Sequence, residues 1–212
     1  METFFEHIKK CGIVPAVLVE NSEDAVPLAE ALLSGGINIM EFTLRTEAAL
    51  KAIEAVRKYC SGMTIGAGTV LRPDQVDMAF ESGAQFLISP GCREKVILAA
   101  KDKKLHIIPG VATPTEIETG IELGIDVFNF FPANVLGGVK AIKAFGGPYS
   151  SVQFIPSGSV TTENMCEYLC CKQVMAVSGS WITPPEIIRN HHFKDITALA
   201  KQAVQFVKSV RN

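Results

Sequence analysis

The stretch Ile37-Asn38-Ile39-Met40-Glu41-Phe42-Thr43-Leu44-Arg45-Thr46 decides the fold. It opens as a mostly apolar run, the composition of a strand covered on both faces, and closes on polar and charged residues. Leu50, Ile53 and Val56 follow at helical spacing. The same succession recurs along the chain at intervals of about 20 residues. Its other apolar runs are Val14–Val19, Thr64–Ala67, Gln85–Ser89, His106–Val111, Val127–Phe131, Val152–Ile155 and Val174–Ser178. Eight strand–helix units in 212 residues predict a parallel sheet with right-handed crossovers, closed as a (β/α)8 TIM barrel. Residues 2–11 read as an extra N-terminal helix, and Asp195–Val210 as the last helix. Asn21-Ser22, Thr113-Pro114 and Thr161-Thr162 read as helix starts. No linker or low-complexity segment interrupts the pattern, so one domain is expected over residues 1–212.

Composition narrows the function classes. Hydrophobic residues make up 48% of the chain and charged ones 20%, enough apolar material for one sizeable core. The net charge of −2 argues against a nucleic-acid or membrane-surface partner. No apolar run reaches the roughly 20 residues of a membrane span. The start, Met1-Glu2-Thr3-Phe4-Phe5-Glu6, lacks the features of a secretory signal, so a cytoplasmic protein is expected. The six cysteines are then expected to stay reduced. Cys166, Cys170 and Cys171 fall on one predicted helix without paired CxxC spacing, and read as structural rather than metal-ligating. Cys92 follows Ser89-Pro90-Gly91, where a helix start would lower its pKa. His7, His106, His191 and His192 show no metal-ligand spacing, and no metal is expected.

In barrels of this kind the chemistry lies at the C-terminal ends of the strands. Here those ends include Glu41-Phe42-Thr43-Leu44-Arg45-Thr46, Gly66-Ala67-Gly68-Thr69, Ser89-Pro90-Gly91, Pro109-Gly110-Val111, Asn129-Phe130-Phe131-Pro132, Pro156-Ser157-Gly158-Ser159 and Ser178-Gly179-Ser180. Tight turns also favour such residues, but seven on one rim, with charged groups among them, point to a site. Alternation places Ile37, Ile39 and Glu41 on one face of their strand. A half-buried carboxylate there has a raised pKa and suits proton transfer; an ion pair with Arg45 is the structural alternative. Arg45 can hold a carboxylate or phosphate in bidentate fashion, or simply be a solvated residue at a helix start. The triplets Ser157-Gly158-Ser159 and Ser178-Gly179-Ser180 contain no cation, so anion binding there rests on backbone N–H groups and hydroxyls.

Taken in order, these motifs resemble those of the 2-keto-3-deoxy-6-phosphogluconate (KDPG) and 4-hydroxy-2-oxoglutarate (KHG) aldolase family. Phe130-Phe131-Pro132-Ala133 with Gly137-Gly138-Val139-Lys140, and Gly179-Ser180-Trp181, extend the resemblance over roughly residues 8–208. The resemblance implies a class I aldehyde-lyase that needs no metal or other cofactor and assembles as a homotrimer. It implies a small keto acid or phosphorylated keto-sugar acid as substrate, split to pyruvate and an aldehyde. On the matched positions it implies Glu41 as the general acid/base. Arg45, Thr69 and Pro90 would hold the substrate carboxylate and nearby groups, with Phe131 as an aromatic wall. Ser157, Gly158 and Ser159 fall on the phosphate motif, and Ser180 on its later serine.

Two positions depart from the family pattern. Asn129 stands where the family carries its Schiff-base lysine, and an amide nitrogen, its lone pair delocalised, cannot form an imine. None of the eight strand runs holds a substitute lysine; Lys140 and Lys143 fall on the next predicted helix. Ser159 replaces a glycine, which adds a Cβ to a phosphate loop. Three readings follow from the sequence: an aldolase site disarmed at one residue, a keto-acid isomerase or enolising enzyme using Glu41, and a keto-acid or phosphate-binding relative without catalysis.

Overall fold

The apolar runs become short parallel strands in the computed structural model, which describes residues 2–211. They are β1 (Ile13–Val17), β2 (Ile39–Thr43), β3 (Thr64–Gly68), β4 (Phe86–Ile88), β5 (His106–Ile108), β6 (Gly110–Val111), β7 (Val127–Phe130), β8 (Gln153–Pro156) and β9 (Val177–Gly179). Six pair in the order β5-β4-β3-β2-β1-β9, and three in the order β6-β7-β8. The run expected as one strand over His106–Val111 is divided at Pro109, which has no N–H to give the ladder. The Pro109 carbonyl still accepts from the Asn129 amide at 2.9 Å. At the other seam, Phe154 donates to Gln173 at 2.7 Å and accepts from Met175 at 2.9 Å. The result is a curled parallel sheet. The last expected strand, Val174–Ser178, starts regular pairing only at Val177, because the chain changes partner there: Val174 bridges Phe154 of β8, while Val177 pairs with Ile13 of β1.

Helices follow the strands as the periodicity predicts, and their starts show which side chains cap. Thr3 forms a capping box with Glu6, so the N-terminal helix spans Phe4–Cys11. Thr113 does the same with Glu116 ahead of Pro114–Glu122. Asn21 caps only a single 3-10 turn, Ser22–Asp24, before the helix Ala25–Ser34. Thr161 does not begin its helix. Its hydroxyl accepts from the Glu163 amide at 3.3 Å, and the helix starts later, at Met165. That helix ends at Leu169, so Cys170 and Cys171 lie beyond it and the three cysteines do not share one helix. All six thiols are free. The final helix, Phe193–Arg211, has no 18-residue stretch apolar enough for a membrane span, nor does any other described helix.

Two apolar layers flank the sheet. Val14, Ile39, Phe86, Ile88, Ile108, Val127, Ile155 and Met175 form the inner cluster. Met40 and Phe42 belong to the outer layer beneath the helices. Ile37 also lies in the outer layer rather than beside Ile39, because it precedes β2 and strand alternation does not reach it. The N-terminal helix covers the strand starts: Ile8 is fully buried in the inner cluster, and Phe4 stacks on His106 with ring centroids 4.4 Å apart. His106 is therefore a packing residue. The opposite end, at the strand C-termini, is left for the cleft.

Interior volume is limiting at Gly66, whose register partner is Phe86. A Cβ on Gly66 would run into the Phe86 ring. Gly66→Ala is expected to cost about 1–3 kcal/mol in urea unfolding, and Phe86→Leu in the same chain to return part of that loss.

Candidate active site

The strand C-termini and the turns after them surround a cleft of about 810 Å³. Glu41, Arg45, Thr69, Pro90, Asn129, Phe131, Ser157, Gly158, Ser159 and Ser180 all line it. Every site residue proposed from sequence thus reaches one place. Lys140 and Lys143 do not; they are exposed on the helix Gly138–Phe145. No lysine lines the cleft among the described residues.

Glu41 is the third residue of β2 and only 4% exposed. Its carboxyl has room because Gly68, near the end of β3, lacks a side chain; a Cβ there would meet the carboxyl group. Ser178 Oγ donates to Oε1 at a long 3.5 Å, and Oε2 is buried with no hydrogen-bond partner. Burial therefore dominates, pushing the pKa up to about 8, against a weaker opposing pull from Ser178. The ion-pair alternative is not realised: Arg45 is exposed past the end of β2 and forms no ion pair among the described residues.

Asn129 projects from β7 and is likewise 4% exposed. Its Nδ2 donates to the Ser89 carbonyl at 3.0 Å, and its Oδ1 accepts from Ser157 Oγ at 2.6 Å. The Ser89 carbonyl can only accept, which fixes which way the amide faces. Of the two N–H bonds on Nδ2, the second meets no acceptor among the described residues. Ser89 is held in turn, its hydroxyl donating to the Gly91 carbonyl at 2.9 Å.

The Ser157–Ser159 loop leaves several backbone amides unpaired among the described residues. Gly158 and Ser159 have φ of 86° and 60°, two consecutive residues in the left-handed region. The amides of Gly158, Ser159 and Val160 donate to no acceptor among the described residues. Asn164 anchors the loop, donating to the Ser159 carbonyl and accepting from the Thr161 amide, both at 2.9 Å. Phe131 packs over Gly158, where a Cβ would lie 3.2 Å from its ring. Thr69, with φ of 58°, adopts a left-handed turn directly after β3.

Sequence reasoning singles out Ser180 from its triplet and misses Ser178, the hydrogen-bonding partner of Glu41. Alternation along β9 could have found it: Val177 packs in the outer layer, so Ser178 faces inward. Ser89, Thr43 and Trp181 also line the cleft and were not singled out. Cys92 corrects an expectation. The helix after it begins only at Glu94, and burial, helped by Glu116, pushes the thiol up to about 11. Among the described residues no three histidine, cysteine, aspartate or glutamate side chains gather as metal ligands.

A family model described as KDPG and KHG aldolase matches residues 5–199. A 2-dehydro-3-deoxy-phosphogluconate aldolase of Treponema pallidum is 44% identical over 207 residues, spanning 98% of this chain and 99% of that one. A KHG/KDPG aldolase of Escherichia coli K12 is 43% identical over 208 residues, with 98% of each chain covered. Among solved structures, a KDPG aldolase of Legionella pneumophila, with pyruvate captured as a covalent carbinolamine intermediate, superposes with a TM-score of 0.91. It is 40% identical, over 93% of this chain and 96% of that one.

Two stability measurements probe this geometry. The folded protein keeps Glu41 protonated up to about pH 8, whereas an unfolded carboxyl ionises near 4.5. Between those values the native state binds the extra proton, so this group's contribution to stability falls as pH rises. Glu41→Gln is expected to remove that slope, gaining on the parent by roughly 1 kcal/mol per pH unit across the window in urea titrations. Ser159→Gly relieves left-handed strain of about 1 kcal/mol, partly offset by glycine's greater chain entropy. Its Tm is expected to rise by about 1–2 °C in calorimetry.

Proposed function

The chain belongs to the KDPG and KHG aldolase family, and we propose that its cleft takes that family's kind of substrate with the covalent route closed at Asn129. The substrate class is a short 2-keto acid of the KDPG or 4-hydroxy-2-oxoglutarate type. Arg45 pairs with its carboxylate, beside Thr69 and Pro90, and Phe131 covers the carbon chain. A phosphate or second anionic end lies against the free amides of the Ser157-Gly158-Ser159 loop and the Ser180 hydroxyl. Glu41 moves protons. We assign Asn129 to the position of the Schiff-base lysine.

One observation carries this reading: a buried amide, clamped between the Ser89 carbonyl and the Ser157 hydroxyl, stands in a cleft that no lysine lines. The carbinolamine in the Legionella relative requires an amine nitrogen, and an amide cannot replace it. Each 1.4 kcal/mol of lost electron-sink stabilisation slows cleavage about tenfold, so loss of the imine leaves retro-aldol turnover orders of magnitude down. The same reading treats the curled sheet as a closed (β/α)8 barrel and the chain as one domain, cytoplasmic and assembled as a homotrimer.

The test is pyruvate release from KDPG and from 4-hydroxy-2-oxoglutarate, with borohydride trapping of a pyruvate adduct by mass spectrometry. Asn129→Lys is expected to turn over and to trap the adduct, and the parent to trap none and release pyruvate at least about 10³-fold more slowly. Enzyme-like turnover by the parent would overturn the proposal. Silence in both, with pyruvate still bound, would favour a keto-acid-binding relative.

A further inference from the structure

The Schiff-base route leaves unexplained why the amide at Asn129 is held so firmly. It has a carbonyl acceptor at 3.0 Å and a hydroxyl donor at 2.6 Å, its second N–H meets no acceptor among the described residues, and Asn129 lines the cleft. That is the geometry of an oriented, desolvated hydrogen-bond donor rather than of a gap left by a lost lysine. Glu41 lines the same cleft, and its Oε2 is buried and unpartnered. Arg45 is the only other charged residue on the lining among the described residues.

We infer that Asn129 and Glu41 together catalyse imine-free enolisation of a bound 2-keto acid, exchanging its C3 protons with solvent. This rests on the reading that the cleft accepts a 2-keto acid. In the forward step the ionised Glu41 carboxylate takes a proton from C3. The C3–H electron pair becomes the C2=C3 bond, and the carbonyl π pair moves onto the C2 oxygen. The free Asn129 N–H donates to that developing oxyanion, and Arg45 holds the substrate carboxylate. Return of a solvent-derived proton from Glu41 to C3 completes the exchange, so no oxidant or second substrate is needed. Ser157 acts as a positioning residue, because its hydroxyl holds Oδ1 and thereby aims Nδ2. An oriented donor contributes about 10²–10³-fold and a placed base about 10²–10⁴-fold, which lifts exchange above a buffer background.

The experiment follows loss of the pyruvate methyl signal by proton NMR in deuterated buffer, with pyruvate binding measured separately by calorimetry. Exchange is expected to exceed the buffer rate and to rise with pH until Glu41 is fully ionised, levelling off above about pH 8. Glu41→Gln, an isosteric change, and Asn129→Ala are each expected to lower it at least about tenfold while pyruvate remains bound. Ser157→Ala is expected to lower the plateau rate without moving the pH midpoint. Bound pyruvate that exchanges no faster than in buffer would overturn enolisation and leave the binding reading intact. Exchange that persists in Glu41→Gln would overturn the assigned base. Failure of pyruvate to bind would remove both readings together.

Discussion

A carboxyl kept out of water at the end of an apolar sheet interior is the constraint on which the site depends. Glu41 is carried there by β2, a strand whose other buried residues are Ile39, Met40 and Phe42. The interior below offers no polar partner, so the acid keeps its proton far above the usual carboxylate range. Gly68 leaves the volume, and Ser178 supplies one long hydrogen bond. A stronger partner, such as an adjacent arginine, would pull the pKa down. Arg45 stands off at the rim, exposed and in no ion pair among the described residues.

The second constraint joins three parts of the rim. Asn129 ties β7 to the turn after β4 through Ser89 and to the turn after β8 through Ser157. Its amide therefore works as a structural clamp whatever chemistry it performs. In the relatives this fold supports aldol cleavage, and the likeness extends over nearly the full chain. On the proposed assignment of Asn129, what differs here is the kind of nitrogen at one wall of the cleft. A nucleophile makes a covalent bond; a fixed donor can only stabilise charge. The proposed enolisation asks of Asn129 only the second of these.

Much of the fold was legible because its signals are local. The β-branched runs and the helical spacing of Leu50, Ile53 and Val56 lie within a few residues of one another, and both became elements. Capping is local too, which is why Thr3 and Thr113, each with a glutamate three residues on, marked true helix starts. Of the starts read from sequence, Asn21 capped only a 3-10 turn and Thr161, without that glutamate, preceded a helix that began later; the Thr3 cap was not among them. Pro109 could have warned that the run His106–Val111 would be interrupted, since it has no N–H for the ladder. Cys92 went astray for another reason: its pKa answers to burial and to Glu116, neither visible from the Ser-Pro-Gly preceding it.

The sequence alone determined the alternation of strands and helices, the family, the residue types on the rim and the absence of lysine from every strand run. Each is a property of residue identity or of short spacing. Tertiary structure decided which groups meet. Ser178 reaches Glu41 across 137 residues, and Ser89 and Ser157 clamp Asn129 from 40 and 28 residues away. Those meetings depend on strand register and on the curl of the sheet, which bring distant segments to one rim without leaving a mark in any local pattern. So the sequence could name a carboxylate and an amide as candidates. Only the folded chain could make one a desolvated acid and the other an aimed donor.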